Sequence, residues 1–124
     1  MTYWGINALN HGSSLAVIEE DCLRSWAVYP EDELPSSSIR RALRLGNPDT
    51  IFWYERPWIK KSRQLYAGQY KTAMDLSVLP RRFLQSRDLG RIKIKYTPHH
   101  ASHAAAGYYT SPFDHCAVVV LDAI

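Results

Sequence analysis

Long apolar runs are missing from this sequence. None approaches the roughly 20 residues needed to span a bilayer, so no membrane-crossing helix is expected. Cysteine is scarce as well. Cys22 and Cys116 lie far apart with no C-x-x-C spacing, which excludes a disulfide framework and reads as two reduced thiols of a cytoplasmic protein. The opening Met-Thr-Tyr-Trp-Gly lacks a basic stretch followed by an apolar core, so no secretory signal is expected. A dense basic tract is also absent. The 15 Lys and Arg outnumber the 12 Asp and Glu by only three, and they fall in scattered pairs (Arg40/Arg41, Lys60/Lys61, Arg81/Arg82) expected on solvated surfaces. That balance argues against a nucleic-acid partner, while an anionic small molecule such as a phosphate ester stays compatible with it. Internal repeats and low-complexity segments are not seen. With 124 residues and 46% hydrophobic content, the chain suits a single globular domain, or one lobe of a larger one, spanning 1–124 with no second domain.

The pattern of apolar residues changes period along the chain. Tyr3 to Leu9, Leu15 to Glu19 and Leu23 to Tyr29 read as short strands, separated by Asn10-His11-Gly12-Ser13 and by the tight turn Glu20-Asp21. They predict an antiparallel meander with Arg24 facing solvent. Ile39, Ala42 and Leu43 then fall at helical spacing, with Gly46 as a stop signal. Ile51 to Tyr54 reads as a strand and residues 58–76 as one helix. A further helix is expected from Pro80 towards Gly90, and Ile92 to Tyr96 is expected to be a half-buried strand. The small-residue stretch 100–109 is expected to be helical after a corner at Thr97-Pro98, with the Thr97 hydroxyl as cap. Ala117 to Leu121 reads as a fully buried strand. The order β-β-β-α-β-α-α-β-α-β predicts an α/β fold with a mixed sheet covered by helices.

Three places carry groups suited to chemistry. His99 and His103 are four apart, so on a helix both imidazoles project from one face and can reach one cation, leaving positions open for a carboxylate, water or phosphate. The same spacing also describes a helix start with hydrogen-bonded histidines. The alanines at 101 and 104–106 with Gly107 leave that helix almost bare, which admits a ligand or another backbone. The turn before Ser13 and Ser14 can present N–H groups and hydroxyls to an anion, with His11 as a candidate general base; it reads equally as a polar hairpin. Asp122, closing Val-Val-Val-Leu-Asp, is placed either to meet a metal or hydroxyl or to cap the next turn. The aromatic group Phe52, Trp53, Tyr54 and Trp58 is expected in a core or interface, with Trp53 and Trp58 also able to stack on a sugar or base. Glu31, Asp32 and Glu33 are expected to form a solvated loop.

Together these pieces resemble a family. Gly5-Ile6-Asn7 with His11-Gly12-Ser13-Ser14-Leu15-Ala16, the "YERP" element within Ile51–Pro57, Pro98-His99-His100-Ala101-Ser102-His103-Ala104-Ala105 with Tyr108–Phe113, and Ala117–Asp122 are similar, in the same order, to the N-terminal segment of O-carbamoyltransferases that act on nodulation factors, cephem antibiotics and aminoglycosides. The resemblance implies a lobe of the actin-like, ribonuclease-H-like superfamily. It also implies transfer of a carbamoyl group from carbamoyl phosphate, through an ATP-derived carbamoyl-adenylate, to a hydroxyl of a small-molecule acceptor. Under it His99 and His103 are ligands of a divalent metal (iron in that family), His11 and Asp122 are catalytic candidates, and Asn7, Ser13 and His100 line the substrate. The sequence departs from the family pattern in the turn after His11, where relatives carry an aspartate, and at Ala123, where they carry glycine. Family members are several times longer, with a third metal ligand, a nucleotide pocket and an adenylate-forming domain downstream. The chain alone is therefore expected to be catalytically incomplete, working with a second polypeptide or by self-association. Related tRNA-modifying or hydrogenase-maturation carbamoyl transfer, and a non-catalytic binding or assembly module of the same fold, are the alternatives.

Overall fold

Glu20 and Asp21 both adopt positive φ (47° and 65°), the backbone of a two-residue hairpin turn whose twist matches that of the strands it joins. That turn links β2 (Ser13–Glu19) to β3 (Cys22–Tyr29), and β2 in turn pairs antiparallel with β1 (Thr2–Asn7). The computed structural model describes residues 1–9 and 12–122, so His11 lies outside the described residues. The meander is followed by α1 (Ser36–Leu45), β4 (Thr50–Trp53), α2 (Pro57–Tyr66), α3 (Tyr70–Met74), α4 (Pro80–Gln85), β5 (Lys93–Tyr96) and α5 (His99–Tyr109). The sheet runs β3-β2-β1-β4-β5, antiparallel through the meander and parallel from β1 to β4 to β5. The expected α/β architecture with a mixed sheet is what the chain forms.

Alternation along the strands decides which face is covered. Trp4 and Ile6 of β1, Leu15 and Val17 of β2, and Ile51 and Trp53 of β4 point to one side, where they pack with Leu34, Ile39, Ala42, Phe83, Leu84 and Leu89 from α1, α4 and the adjoining loops. Trp53 meets Phe83 edge-on at 5.8 Å between centroids, the quadrupole-favoured geometry. The opposite face is far less covered: Trp26 and Val28 remain 67% and 70% exposed.

Several expectations need correction. The single helix over 58–76 is two helices, because Gly68 takes φ +76° and the chain turns at Ala67–Gln69 before α3 begins. The pair Lys60/Lys61 is not a solvated surface: Lys61 is only 7% exposed, and its ammonium donates to the carbonyls of Thr72, Ala73 and Asp75 at 3.3, 2.9 and 2.6 Å. It caps the α3 carbonyls that have no helical partner. Thr97 does not cap α5. Its N–H continues the sheet by donating to Trp53 O (2.9 Å), and Pro98 occupies the cap position. Finally, residues 117–121 form no strand. They have no regular secondary structure and are largely exposed: among the described residues the sheet ends at β5, with which they do not pair, and apolar composition alone does not satisfy a backbone.

The turn between β1 and β2 is held from outside. Asp32, expected merely to be solvated, accepts the Gly12 N–H through Oδ1 (2.8 Å) and the Leu9 N–H through its carbonyl (2.7 Å). Gly12 sits at φ +85°, and a Cβ there would come within 2.9 Å of the Tyr29 carbonyl. Gly12→Ala is therefore expected to destabilise the chain by about 1–3 kcal/mol. A urea midpoint equal to that of the parent chain would refute this constraint.

Candidate metal centre at the carboxyl edge of the sheet

The parallel strands β1, β4 and β5 end at Asn7, Trp53 and Tyr96, all on one edge of the sheet, where ligand-binding loops of α/β proteins gather. The chain crosses this edge twice with useful consequences. After β4 it places Tyr54 and Glu55; after β5 it starts α5. The Tyr54 N–H donates to Ile6 O (3.3 Å), and the Ser102 hydroxyl donates to Tyr54 O (3.0 Å). These bonds tie α5 to the end of β4.

On α5, His99 and His103 turn their Nε2 atoms towards each other at 3.2 Å. Asp122 Oδ2 lies 2.8 Å from the same His99 Nε2. One ring nitrogen thus faces both a carboxylate and a second imidazole nitrogen. A protonated His99 Nε2 can be shared between the two, whereas a deprotonated one has only a lone pair to set against Asp122. A cation accepts a lone pair from each atom and removes the conflict. The three atoms lie within 4.8 Å of one another, and neighbouring nitrogens on a tetrahedral ion with metal–nitrogen bonds near 2.0–2.1 Å sit about 3.3 Å apart. The donor set of two imidazoles and one carboxylate fits a divalent ion.

Electrostatics point the same way. Partial desolvation raises the Asp122 pKa, but the hydrogen bond to His99 and the charges of His99, His103 and His100 outweigh it and hold the carboxyl below its ordinary range. The carboxylate is ionised at neutral pH and ready to bind a cation. His99 is oriented by edge-on packing against Tyr54 (6.0 Å). Its buried Nδ1 has no hydrogen-bond partner among the described residues, so the hydrogen-bonded acceptor that usually steadies a metal-binding histidine is replaced by packing.

Asp122 reaches this position without a strand to carry it. The 111–122 segment runs back along α5, with Val118 close to Gly107. His100 stands at the rim, mostly exposed, 3.6 Å from Asp122 Oδ2. Asn7 and Ser13 lie on the same sheet edge, Asn7 separated from β5 by β4 and Ser13 by β1 and β4. Neither joins the histidine cluster directly, yet Asn7 Oδ1 and Ser13 Oγ are both buried without a partner among the described residues.

In comparisons with protein-family models, curated proteins and solved structures, nothing matched this chain. The geometry of the site has to carry the functional reading.

A second polar group was missed from sequence. Glu55 is 5% exposed; one oxygen pairs with Arg63 and the other lies 3.6 Å from Lys60. Lys60 Nζ donates to the Tyr54 hydroxyl (2.9 Å). Desolvation lowers the Lys60 pKa despite the opposing pull of Glu55, and burial together with Glu55 raises that of Tyr54. The available signal was Glu55 directly after β4, with Lys60 and Arg63 on the helix begun by Pro57. Lys60 was instead expected on a solvated surface, as half of the basic pair Lys60/Lys61.

Proposed function

We propose that this chain is a metal-binding lobe of a carbamoyl-transferring enzyme, acting from carbamoyl phosphate and ATP on a hydroxyl of a small-molecule acceptor. The observation that carries the proposal is the convergence of His99, His103 and Asp122 on one point at the carboxyl edge of a mixed sheet. Its order, a meander followed by two further parallel strands, agrees with the actin-like, ribonuclease-H-like lobe expected from the resemblance. On this reading Asp122 serves as a ligand beside the two histidines, in place of the catalytic role that the resemblance implies. A divalent ion there, iron by the same resemblance, would supply positive charge beside the phosphates of an adenylate.

The remaining roles belong to the chain's own groups. His100, exposed at the rim, is placed to meet the bound phosphate. Asn7 Oδ1 and Ser13 Oγ, without a partner among the described residues, are the groups assigned to an acceptor at the neighbouring strand end. His11, the candidate base under the resemblance, lies outside the described residues. Catalysis is completed by a second polypeptide or further chain that supplies the pocket for the base and ribose, so contact between the ion and the nucleotide phosphates is the part this chain makes alone. The non-catalytic assembly module stays as a second reading because α5 buries no residue of its own and much of the open sheet face is exposed.

The test is calorimetric titration of the full chain with ATP, with and without one equivalent of ferrous ion under anaerobic conditions. Nucleotide binding that depends on the ion, and that disappears in the His99→Ala variant, is the expected result. Ion binding with no effect on ATP would leave a metal centre but sink the carbamoyl-adenylate reading.

A further inference from the structure

Lys60 and Lys61 are neighbours in sequence and opposites in chemistry. The Lys61 ammonium commits its protons to the carbonyls of Thr72, Ala73 and Asp75, so it has no lone pair to offer. Lys60 Nζ makes one hydrogen bond among the described residues, to the Tyr54 hydroxyl at 2.9 Å. Glu55 at 3.6 Å is too far to be a second acceptor. An ammonium carries three donors, and most of this one's have no acceptor among the described residues. Losing a proton therefore breaks no hydrogen bond: a neutral amine still donates to Tyr54 and gains a lone pair.

The surroundings favour that neutral form. The Lys60 side chain is only 22% exposed. Burial lowers its pKa, and the charges of Arg63 and Lys61 add to the effect against the pull of Glu55. A lysine withdrawn from water beside other cations is activated as a nucleophile. Lys71, Lys93 and Lys95 are exposed and lack this setting. The amine also has a place to act. With Trp53, Tyr54, Pro57, Gln64 and Leu79, Lys60 lines a cavity of about 70 Å³, which admits only a small molecule.

Charge narrows the class of that molecule. Besides Lys60, the cavity is lined by the ammonium of Lys61 and the carboxylate of Glu55, and Glu55 is paired with Arg63. With Lys60 neutral, the two remaining cations outnumber the one carboxylate, which favours a ligand bearing a single negative charge.

We infer that Lys60 is a nucleophilic lysine that condenses with a small carbonyl compound carrying one carboxylate, of the α-oxo acid type. The Nζ lone pair attacks the carbonyl carbon, and a carbon–nitrogen bond forms. The carbonyl oxygen takes up the two amine protons and leaves as water, giving an imine with no further reactant. The excess positive charge of Lys61 and Arg63 over Glu55 attracts the carboxylate of the incoming molecule.

The experiment incubates the full chain with glyoxylate and cyanoborohydride at neutral pH, without metal or nucleotide. Peptide mass spectrometry then locates the reduced adducts and follows their rates. Lys60 is expected to react about 5- to 10-fold faster than Lys71, Lys93 and Lys95. With acetaldehyde, which lacks the charge, that lead is expected to shrink at least about 3-fold. In concentrated urea, where the cavity is lost, it is expected to vanish. A Lys60 rate no greater than that of the exposed lysines, an equal lead with acetaldehyde, or a lead that survives unfolding would each overturn the inference. The parent chain is used throughout, so no variant has to fold. Because no ion or nucleotide is present, failure here is read separately from failure of the metal-centre reading.

Discussion

Replacing His103 with alanine is expected to weaken binding of a divalent ion by roughly 100-fold, and His99→Ala by at least as much. Both rings aim one nitrogen at the same point, so either loss leaves two donors, too few to strip an ion of its water. Asp122→Asn should cost less, about 10-fold, because an amide oxygen still ligates but brings no charge. Titration with cobalt(II), followed by its visible absorption, measures all three. His103 is exposed, so His103→Ala should leave the unfolding midpoint nearly unchanged, and lost affinity then reports on the site and not the fold. Equal affinity in the parent and in a His99→Ala/His103→Ala double variant would rule out the centre.

Trp4→Ala should remove about 3–5 kcal/mol, the usual cost of deleting a buried large aromatic. Set against a typical domain stability of about 5–15 kcal/mol, that is enough to leave much of the chain unfolded. Trp4 is fully buried at the middle of β1, between Val17 of β2 and Ile51 of β4. Its indole N–H has no partner among the described residues, so Trp4→Phe removes an unsatisfied donor along with some volume and should cost markedly less. Trp26, on the open face of β3, is the internal comparison: Trp26→Ala is expected to change stability by no more than about 1 kcal/mol. Urea denaturation followed by far-ultraviolet circular dichroism measures this ordering. A Trp26 effect equal to that of Trp4 would mean that the open face is covered in solution.

Features set by local pattern were legible in the sequence. The Glu20-Asp21 turn fixed the hairpin, alternation through β1 and β2 chose the buried face, and His99 and His103 could be paired because four residues make nearly one helical turn. What failed was set by partners distant in sequence. The apolar run 117–121 looks like a buried strand, but whether it pairs depends on an edge that composition does not reveal. Lys61 belongs to a basic pair that looks solvated, and only the break at Gly68 brings the carbonyls around Ala73 within its reach. Asp122 was singled out for its position after an apolar run; its meeting with His99 depends on the fold-back of 111–122. Glu55 shows the reverse limit, since its cation partners lie close in sequence yet share no simple helical spacing with it.

That fold-back has a further consequence. An ion held by His99, His103 and Asp122 would act as a crosslink, closing the 23-residue separation between His99 and Asp122 along a stretch whose last residues have no sheet to hold them. Closing a loop of comparable size with a covalent bridge is worth about 3 kcal/mol in chain entropy. Ion affinity and the order of this stretch are then one equilibrium seen from two ends: whatever fastens Asp122 in place tightens the grip on the ion, and whatever draws the stretch away releases it.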